Sequence, residues 1–110
     1  MIQELGKQLL EFTQSKERNR WFETNEIKIY VRNGHHVVDT KIVDTFDIAT
    51  VEATELGQKV FTHLLEYIES RIPKTLYVEN VLEERFQQFF ERRGYIKIEP
   101  ATDPPCYYKE

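Results

Sequence analysis

The sequence predicts a single α/β domain with a mixed sheet. The expected order is a helix, three antiparallel strands, a crossover helix, a parallel strand, a helix and one or two C-terminal strands. Apolar residues recur at helical spacing in three segments and at strand spacing between them, which gives this order. A helix between two β-type segments in mid-chain joins parallel strands. The length of 110 residues suits one domain, spanning residues 1–110.

The N-terminal segment has the apolar period of a helix. Ile2, Leu5, Leu9 and Phe12 are three or four residues apart, which predicts a helix from about Ile2 to Ser15. The polar stretch 14–20 either extends this helix or begins the link to the next element.

The next segment alternates with period two. Ile27, Ile29 and Val31 alternate with polar or aromatic residues, which predicts a half-buried strand. The dipeptide Asn33-Gly34 tolerates the positive φ angles of a type I′ turn. We therefore expect a hairpin into a strand from His36 to Val43, and a third antiparallel strand from about Phe46 to Ala53.

The second half of the chain alternates helices with short β-branched segments. Pro73 ends the crossover helix, and Gly94 stands where a helix C-cap is expected. The elements predicted here are a helical stripe from Leu56 to Ile72, a buried strand Thr75–Val78, a helix through Leu82, Phe86, Phe89 and Phe90, a strand Tyr95–Ile98 and a last edge strand Cys106–Lys109.

Charge and cysteine content limit the partners. The 19 acidic and 15 basic residues give a net charge of -4 and are mixed along the chain, which argues against nonspecific binding to nucleic acid. Cys106 is the sole cysteine, so no intrachain disulfide can form. No uncharged apolar run reaches the roughly 18 residues of a membrane span. We expect a cytoplasmic protein without a membrane partner.

Metal binding is not predicted from the histidines. His35 and His36 are adjacent on a presumed strand and should point to opposite faces, while His63 belongs to a presumed helix. No spacing typical of metal ligands joins them. Cys106 has no context that would activate a thiol.

Two segments carry a resemblance to a known family. The run Ile48–Ala53 followed by residues 56–65 resembles the acetyl-CoA-binding motif of the GNAT (GCN5-related) N-acetyltransferase superfamily. Residues 76–81, Phe86 and the run 89–95 resemble its second signature, a strand and a helix that close in an aromatic pair, a basic residue, glycine and an aromatic. The detailed match covers residues 48–95, and the chain looks like a short, divergent member.

The resemblance implies an acyl-CoA-dependent N-acyltransferase, which transfers an acetyl group from acetyl-CoA to an amine acceptor. It also implies that the strand before the crossover helix splays from the next parallel strand and that the pantetheine arm lies in the gap. The family's first strand and helix, which often build the acceptor side, have no counterpart here. The cofactor-binding residues carried over are Val51 for the pantetheine arm and Gly57, Gln58, Lys59, Val60, Phe61 and Thr62 for the pyrophosphate.

The chain departs from the family pattern at two places. Leu56, Lys59 and Phe61 replace residues of the phosphate loop, where glycines let a diphosphate approach the backbone; Lys59 can supply a point charge instead. Phe90 stands where the family often has a tyrosine that acts as general acid.

Three interpretations therefore stay open, and the first is the N-acyltransferase that the resemblance implies. Asp47 and Glu52 are candidates for a general base, but no catalytic residue is assigned. The second interpretation is a noncatalytic GNAT-like module for binding or regulation, a pseudoenzyme. The third is an interaction domain of unrelated α+β fold, which would lack parallel pairing of Ile48–Ala53 with Thr75–Val78. The terminal strand Cys106–Lys109 can pair with a second copy in a homodimer.

Overall fold

The protein is described here from a computed structural model, which covers residues 2–38, 40–79, 81, 83–98 and 104–110. Its sheet has six strands in the order β1-β2-β3-β4-β6-β5. All neighbours are antiparallel except β3 and β4. The elements are α1 (Ile2–Gln14), β1 (Asn19–Glu23), β2 (Ile27–Val38), β3 (Lys41–Ala53), α2 (Glu55–Arg71), β4 (Thr75–Val78), α3 (Glu84–Arg92), β5 (Ile96–Lys97) and β6 (Tyr107–Lys109).

The hydrophobic core lies on one face of this sheet. Side chains from all three helices share one cluster with alternate residues of the strands, because successive strand residues point to opposite faces. The members with the least exposure include Leu9 of α1, Leu64 and Ile68 of α2, and Ile29 of β2. The opposite face is called the open face below. It carries Arg32 and His36 of β2, Asp47 of β3 and Tyr77 of β4.

The parallel pair predicted by the crossover is present. Thr45–Ile48 of β3 pairs with Thr75–Val78 of β4 in parallel register. The mixed sheet and the element order confirm the predicted fold class, so the interpretation as an unrelated α+β fold is wrong. Gly94 follows α3 with a φ of 87°, which confirms the predicted glycine cap.

The predicted hairpin at Asn33-Gly34 is wrong. β2 continues through both residues to Val38, and β3 begins at Lys41 instead of near Phe46. The Asn33 side-chain amide donates hydrogen bonds to the carbonyl oxygens of Phe12 and Glu17, at 3.0 and 2.8 Å. Asn33 therefore serves a tertiary contact and not a turn. Sequence periodicity cannot distinguish these two uses of the residue. The predicted strand from His36 to Val43 is not one strand, because it covers the end of β2 and the start of β3, where His36 pairs with Val43.

Two further strands differ from the prediction. β1 was not predicted: it begins at the end of the stretch 14–20, which was expected to extend α1 or to begin a link, and only Phe22 of its five residues is buried. β6 was expected at an edge, but it lies between β4 and β5. The predicted route to a homodimer through this strand is therefore wrong, because both of its sides are already paired.

Within the described residues, no helix is both long enough and apolar enough to cross a membrane.

Candidate functional site

The central feature of the site is the point where β3 and β4 diverge. Ile48 and Val78 are the last paired residues, and one more hydrogen bond joins the Glu79 backbone N–H to the Ile48 carbonyl at 3.0 Å. On the other side of β3, the register with β2 skips Ala49, which makes this residue a β-bulge. A bulge bends its strand. The bend at Ala49 follows the last β3–β4 pair directly and accounts for the divergence.

The divergence opens a cleft of about 290 Å³. One wall is the β3 backbone from Ile48 to Val51, and the other is the end of β4 with Glu79. The floor is largely apolar, which suits an extended ligand that hydrogen-bonds to strand backbone at its sides. The lining residues on the floor and rim are Phe61, Val78, Val81, Glu83, Phe86 and Phe90.

A second cavity of about 170 Å³ adjoins the first along α2 and α3. The two cavities share Phe61, Glu83 and Phe86. Its polar lining comes from Gln58 and Thr62 on the first two turns of α2, from Glu83, and from Arg85 and Arg92 on α3. Arg85 lies 3.9 Å from the Glu83 carboxylate. Two guanidinium groups against one carboxylate leave a net positive charge, which favours a negatively charged ligand. The amino-acid sequence assigned no role to Arg92, so this placement was missed.

Four of the predicted cofactor-binding residues line these cavities. Val51 lines the first cavity, Gln58 and Thr62 line the second, and Phe61 lines both. Lys59 is exposed and Val60 is half-buried, and neither is among the residues that line the cavities. The surroundings of Gly57 lie outside the part of the chain that the structure describes.

Phe61 is a core residue despite its position in the presumed phosphate loop. Its side chain is 1% exposed and packs edge-on against the rings of Phe86 and Phe90, with centroids at 6.2 and 6.3 Å. The phenylalanine at this position thus packs α2 against α3. Phe90 also contacts Tyr95 and Tyr107, and no hydroxyl is present at its position.

The two candidates for a general base have different environments. Glu52 is exposed and lies opposite Lys28 of β2. Asp47 is only 3% exposed on the open face. Its Oδ1 accepts a hydrogen bond from Thr45 Oγ1 at 2.6 Å, and its Oδ2 lies 2.9 Å from His36 Nε2. Asp47 is therefore the more enclosed of the two candidates.

The pair Asp47 and His36 belongs to a larger polar cluster. Glu79, at the end of β4, places Oε1 3.8 Å from His36 Nε2, and its Oε2 pairs with Arg32. The His36 ring stacks on Tyr77 with centroids 3.6 Å apart. Burial and the neighbouring Cys106 raise the pKa of Tyr77, so this phenol stays neutral at physiological pH. The sequence did not indicate this cluster, because its members come from three strands.

Comparison with known proteins identifies the fold. No protein-family model and no curated protein sequence matches this chain. A solved structure of an AtaT mutant toxin, bound to the C-terminus of the antitoxin AtaR and acetyl-CoA, has a TM-score of 0.52 and 12% identity, over 76% of this chain. The KacTA–DNA complex gives a TM-score of 0.55 and 10% identity, over 98% of this chain. Both similar structures are GNAT acetyltransferases.

These similarities differ in extent. The chain spans 57% of the AtaT chain and 77% of the matched chain in the KacTA complex. At sequence identities this low, the structural similarity shows a shared fold and no more. Because the KacTA complex contains DNA, the comparison gives no support to the exclusion of nucleic acid drawn from the net charge.

Proposed function

Proceeding from the fold of the GNAT acetyltransferases, which this chain shares, we propose that it binds an acyl-CoA between β3 and β4 and transfers the acyl group to an amine. The divergence of these two strands after Ile48 carries the proposal. It leaves a strand edge beside an apolar cleft, and a pantetheine arm has amides that can pair with backbone groups as an added strand does. Acetyl-CoA in the AtaT complex supports this choice of ligand.

The two cavities fit the two ends of such a ligand. The pantetheine arm, extended and largely apolar, suits the first cavity beside Val51. The phosphates suit the second cavity, where Arg85 and Arg92 supply positive charge near the start of α2. These arginines would take the part that glycines play in the family's loop. The assignment of Lys59 to phosphate is the weaker one, because Lys59 does not line that cavity.

The chemistry proposed is direct attack by the amine nitrogen on the thioester carbonyl. A C–N bond forms, the C–S bond breaks, and the CoA thiolate leaves and takes up a proton. Backbone N–H groups at the cleft would stabilise the carbonyl oxygen as it becomes negative. Phe90 cannot supply the proton, so in this proposal the thiolate takes up the proton that the attacking nitrogen loses as it becomes an amide, directly or through water.

A second candidate function is acyl-CoA binding without catalysis. The observation that favours it is Phe90, whose ring is 3% exposed within the aromatic core and has no proton to donate. Such a protein would act as a CoA-responsive binding or regulatory module. The two candidates predict the same binding and differ in turnover.

Calorimetric titration with acetyl-CoA tests the binding shared by both candidates. We expect a Kd of about 1–100 μM, which corresponds to roughly -5 to -8 kcal/mol. Val51→Trp should fill the cleft and weaken binding at least about tenfold, or ~1.4 kcal/mol. Val43→Trp on the same strand, away from the cavities, is the matched control. Absence of heat and of a thermal shift with millimolar acetyl-CoA would remove the proposal.

The phosphate assignment has its own charge-matched pair of variants. Arg92→Glu should weaken acetyl-CoA binding, whereas Arg18→Glu, the same charge change on an exposed residue between α1 and β1, should leave the affinity unchanged. Equal effects of both changes would mean that net charge alone matters.

Turnover distinguishes the two functions. Incubation with acetyl-CoA and a panel of primary amines should release free CoA thiol in an amine-dependent way if the protein is an enzyme. Binding without thiol release identifies the noncatalytic module.

A further inference from the structure

We propose that the open-face cluster His36, Asp47 and Glu79 binds a divalent transition-metal ion, with Zn²⁺ as a suitable probe. The ligands are His36 Nε2, Asp47 Oδ2 and Glu79 Oε1. This site goes beyond the proposed acyl-CoA function and can be measured without any CoA. It also differs from the expectation drawn from histidine spacing alone, because two of the ligands are carboxylates from other strands.

The three ligand atoms converge. His36 Nε2 lies 2.9 Å from Asp47 Oδ2 and 3.8 Å from Glu79 Oε1, and all three atoms lie within 4.8 Å of one another. Ligand atoms that share a zinc ion at about 2.0–2.2 Å are roughly 3–3.5 Å apart. Small side-chain rotations therefore suffice to place an ion between these atoms.

Each carboxylate has its other oxygen held by a donor. Thr45 Oγ1 donates to Asp47 Oδ1 at 2.6 Å, and the Arg32 guanidinium pairs with Glu79 Oε2. One oxygen of each carboxylate thus remains directed at the common point. Donors placed in this way orient metal ligands and are a regular part of metal sites.

The backbone makes room for the buried carboxylate. A Cβ atom at Gly34 would lie 2.5 Å from Asp47 Oδ2, so a larger residue there would displace this oxygen. The Asp47 side chain is 4% exposed, while those of His36 and Glu79 are 25% and 16% exposed. The cluster is therefore enclosed at its base and reachable from solvent on the open face.

The charge of the cluster suits a divalent cation. Asp47 and Glu79 carry two negative charges, and Arg32 compensates one of them. When His36 binds through its neutral imidazole, the cluster has a net negative charge, which attracts a divalent ion. One imidazole and two carboxylates form a mixed N/O set that suits zinc and its first-row neighbours, and three protein ligands leave coordination positions for water.

The test is titration of the chelator-treated full chain with ZnCl₂, by calorimetry and by thermal denaturation. We expect one Zn²⁺ per chain and a higher melting temperature with zinc, since a ligand that binds the folded state stabilises it. Co²⁺ in place of Zn²⁺ should give visible d–d absorption. Absence of zinc binding to the wild-type chain overturns the proposal and leaves an ordinary His–Asp ion pair.

Two histidine variants locate the site. His36→Gln should weaken zinc binding at least about tenfold. The control is His35→Gln, the neighbouring residue, whose Nδ1 contacts the exposed Asp44 at 2.8 Å and which should retain wild-type affinity. Equal affinity in both variants, or a loss in His35→Gln alone, overturns the proposal. Glu79→Gln, which keeps the size of the side chain and removes its charge, provides a second variant if His36→Gln does not fold.

Discussion

At the scale of single residues, the Asp47 carboxylate explains why position 34 is occupied by a glycine. The Cβ of an alanine would approach Asp47 Oδ2 to 2.5 Å, and this oxygen is held by His36. We expect Gly34→Ala to lower the free energy of unfolding by about 1–3 kcal/mol, as overpacking does in a filled interior. Urea denaturation monitored by circular dichroism gives this value.

A double-mutant cycle checks the cause. Asp47→Ala removes the oxygen that the new methyl group would meet, so Gly34→Ala should cost less in this background, with a coupling of roughly 0.5–3 kcal/mol. Additive losses would show that the glycine is needed for another reason, such as strand geometry.

Tyr107 gives a pH dependence at the same scale. Burial and the hydrogen bond to Glu91 raise the pKa of Tyr107 to about 12, above the usual tyrosine value of 10.0. A phenol with a raised pKa in the folded state holds its proton more tightly there than in the unfolded chain. Its contribution to stability is complete below pH 10 and is lost as the pH rises toward 12.

Urea denaturation at several alkaline pH values tests this dependence. Stability of the wild-type chain should fall between pH 10 and pH 12, and Tyr107→Phe should remove part of that fall because it has no phenol to titrate. Identical slopes in the two chains would assign the alkaline loss to other groups.

At the scale of elements, β2 anchors the end of α1. Asn33 of β2 donates to the carbonyl oxygens of Phe12 and Glu17, and Lys74 Nζ donates to the Thr13 carbonyl and to Asn33 Oδ1. Carbonyl groups at a helix C-terminus lack partners inside the helix. These side chains supply those partners and tie the helix to the sheet.

Asn33→Ala should therefore destabilise the protein by about 1–3 kcal/mol, since it removes two hydrogen bonds between β2 and the end of α1, each worth about 0.5–1.5 kcal/mol. Asn25→Ala changes an exposed asparagine before β2 and should stay within about 0.5 kcal/mol of wild type. Chemical denaturation of the two variants gives the comparison. A loss as large in Asn25→Ala would contradict the assigned role.

The elements also show what the sequence could predict. The helices and β4 follow from local apolar periodicity, which burial against one sheet face enforces. The turn at Asn33-Gly34 could not be placed, because both residues suit a turn and are used instead for contacts with α1 and β3. β1 was missed because a strand with one buried residue in five shows no alternation.

At the scale of the whole molecule, the candidate site depends on how distant elements meet. The family resemblance located β3 and the start of α2, and the structure places Val51, Gln58, Phe61 and Thr62 at the two cavities. The contribution of α3 through Arg85 and Arg92 could not be predicted, because helix rotation relative to α2 is set by packing of aromatic rings. The cluster on the open face likewise requires the register of three strands.

The central claim is that the divergence of β3 and β4 forms an acyl-CoA site. The most direct measurement is a titration of the ¹⁵N-labelled chain with acetyl-CoA, followed by amide chemical shifts. We predict saturable shifts at Ile48–Val51, at Val78 and Glu79, and at Gln58–Thr62, with Asn19–Glu23 of β1 unchanged. Absence of shifts at millimolar acetyl-CoA, or shifts confined to residues away from the cleft, would contradict the claim.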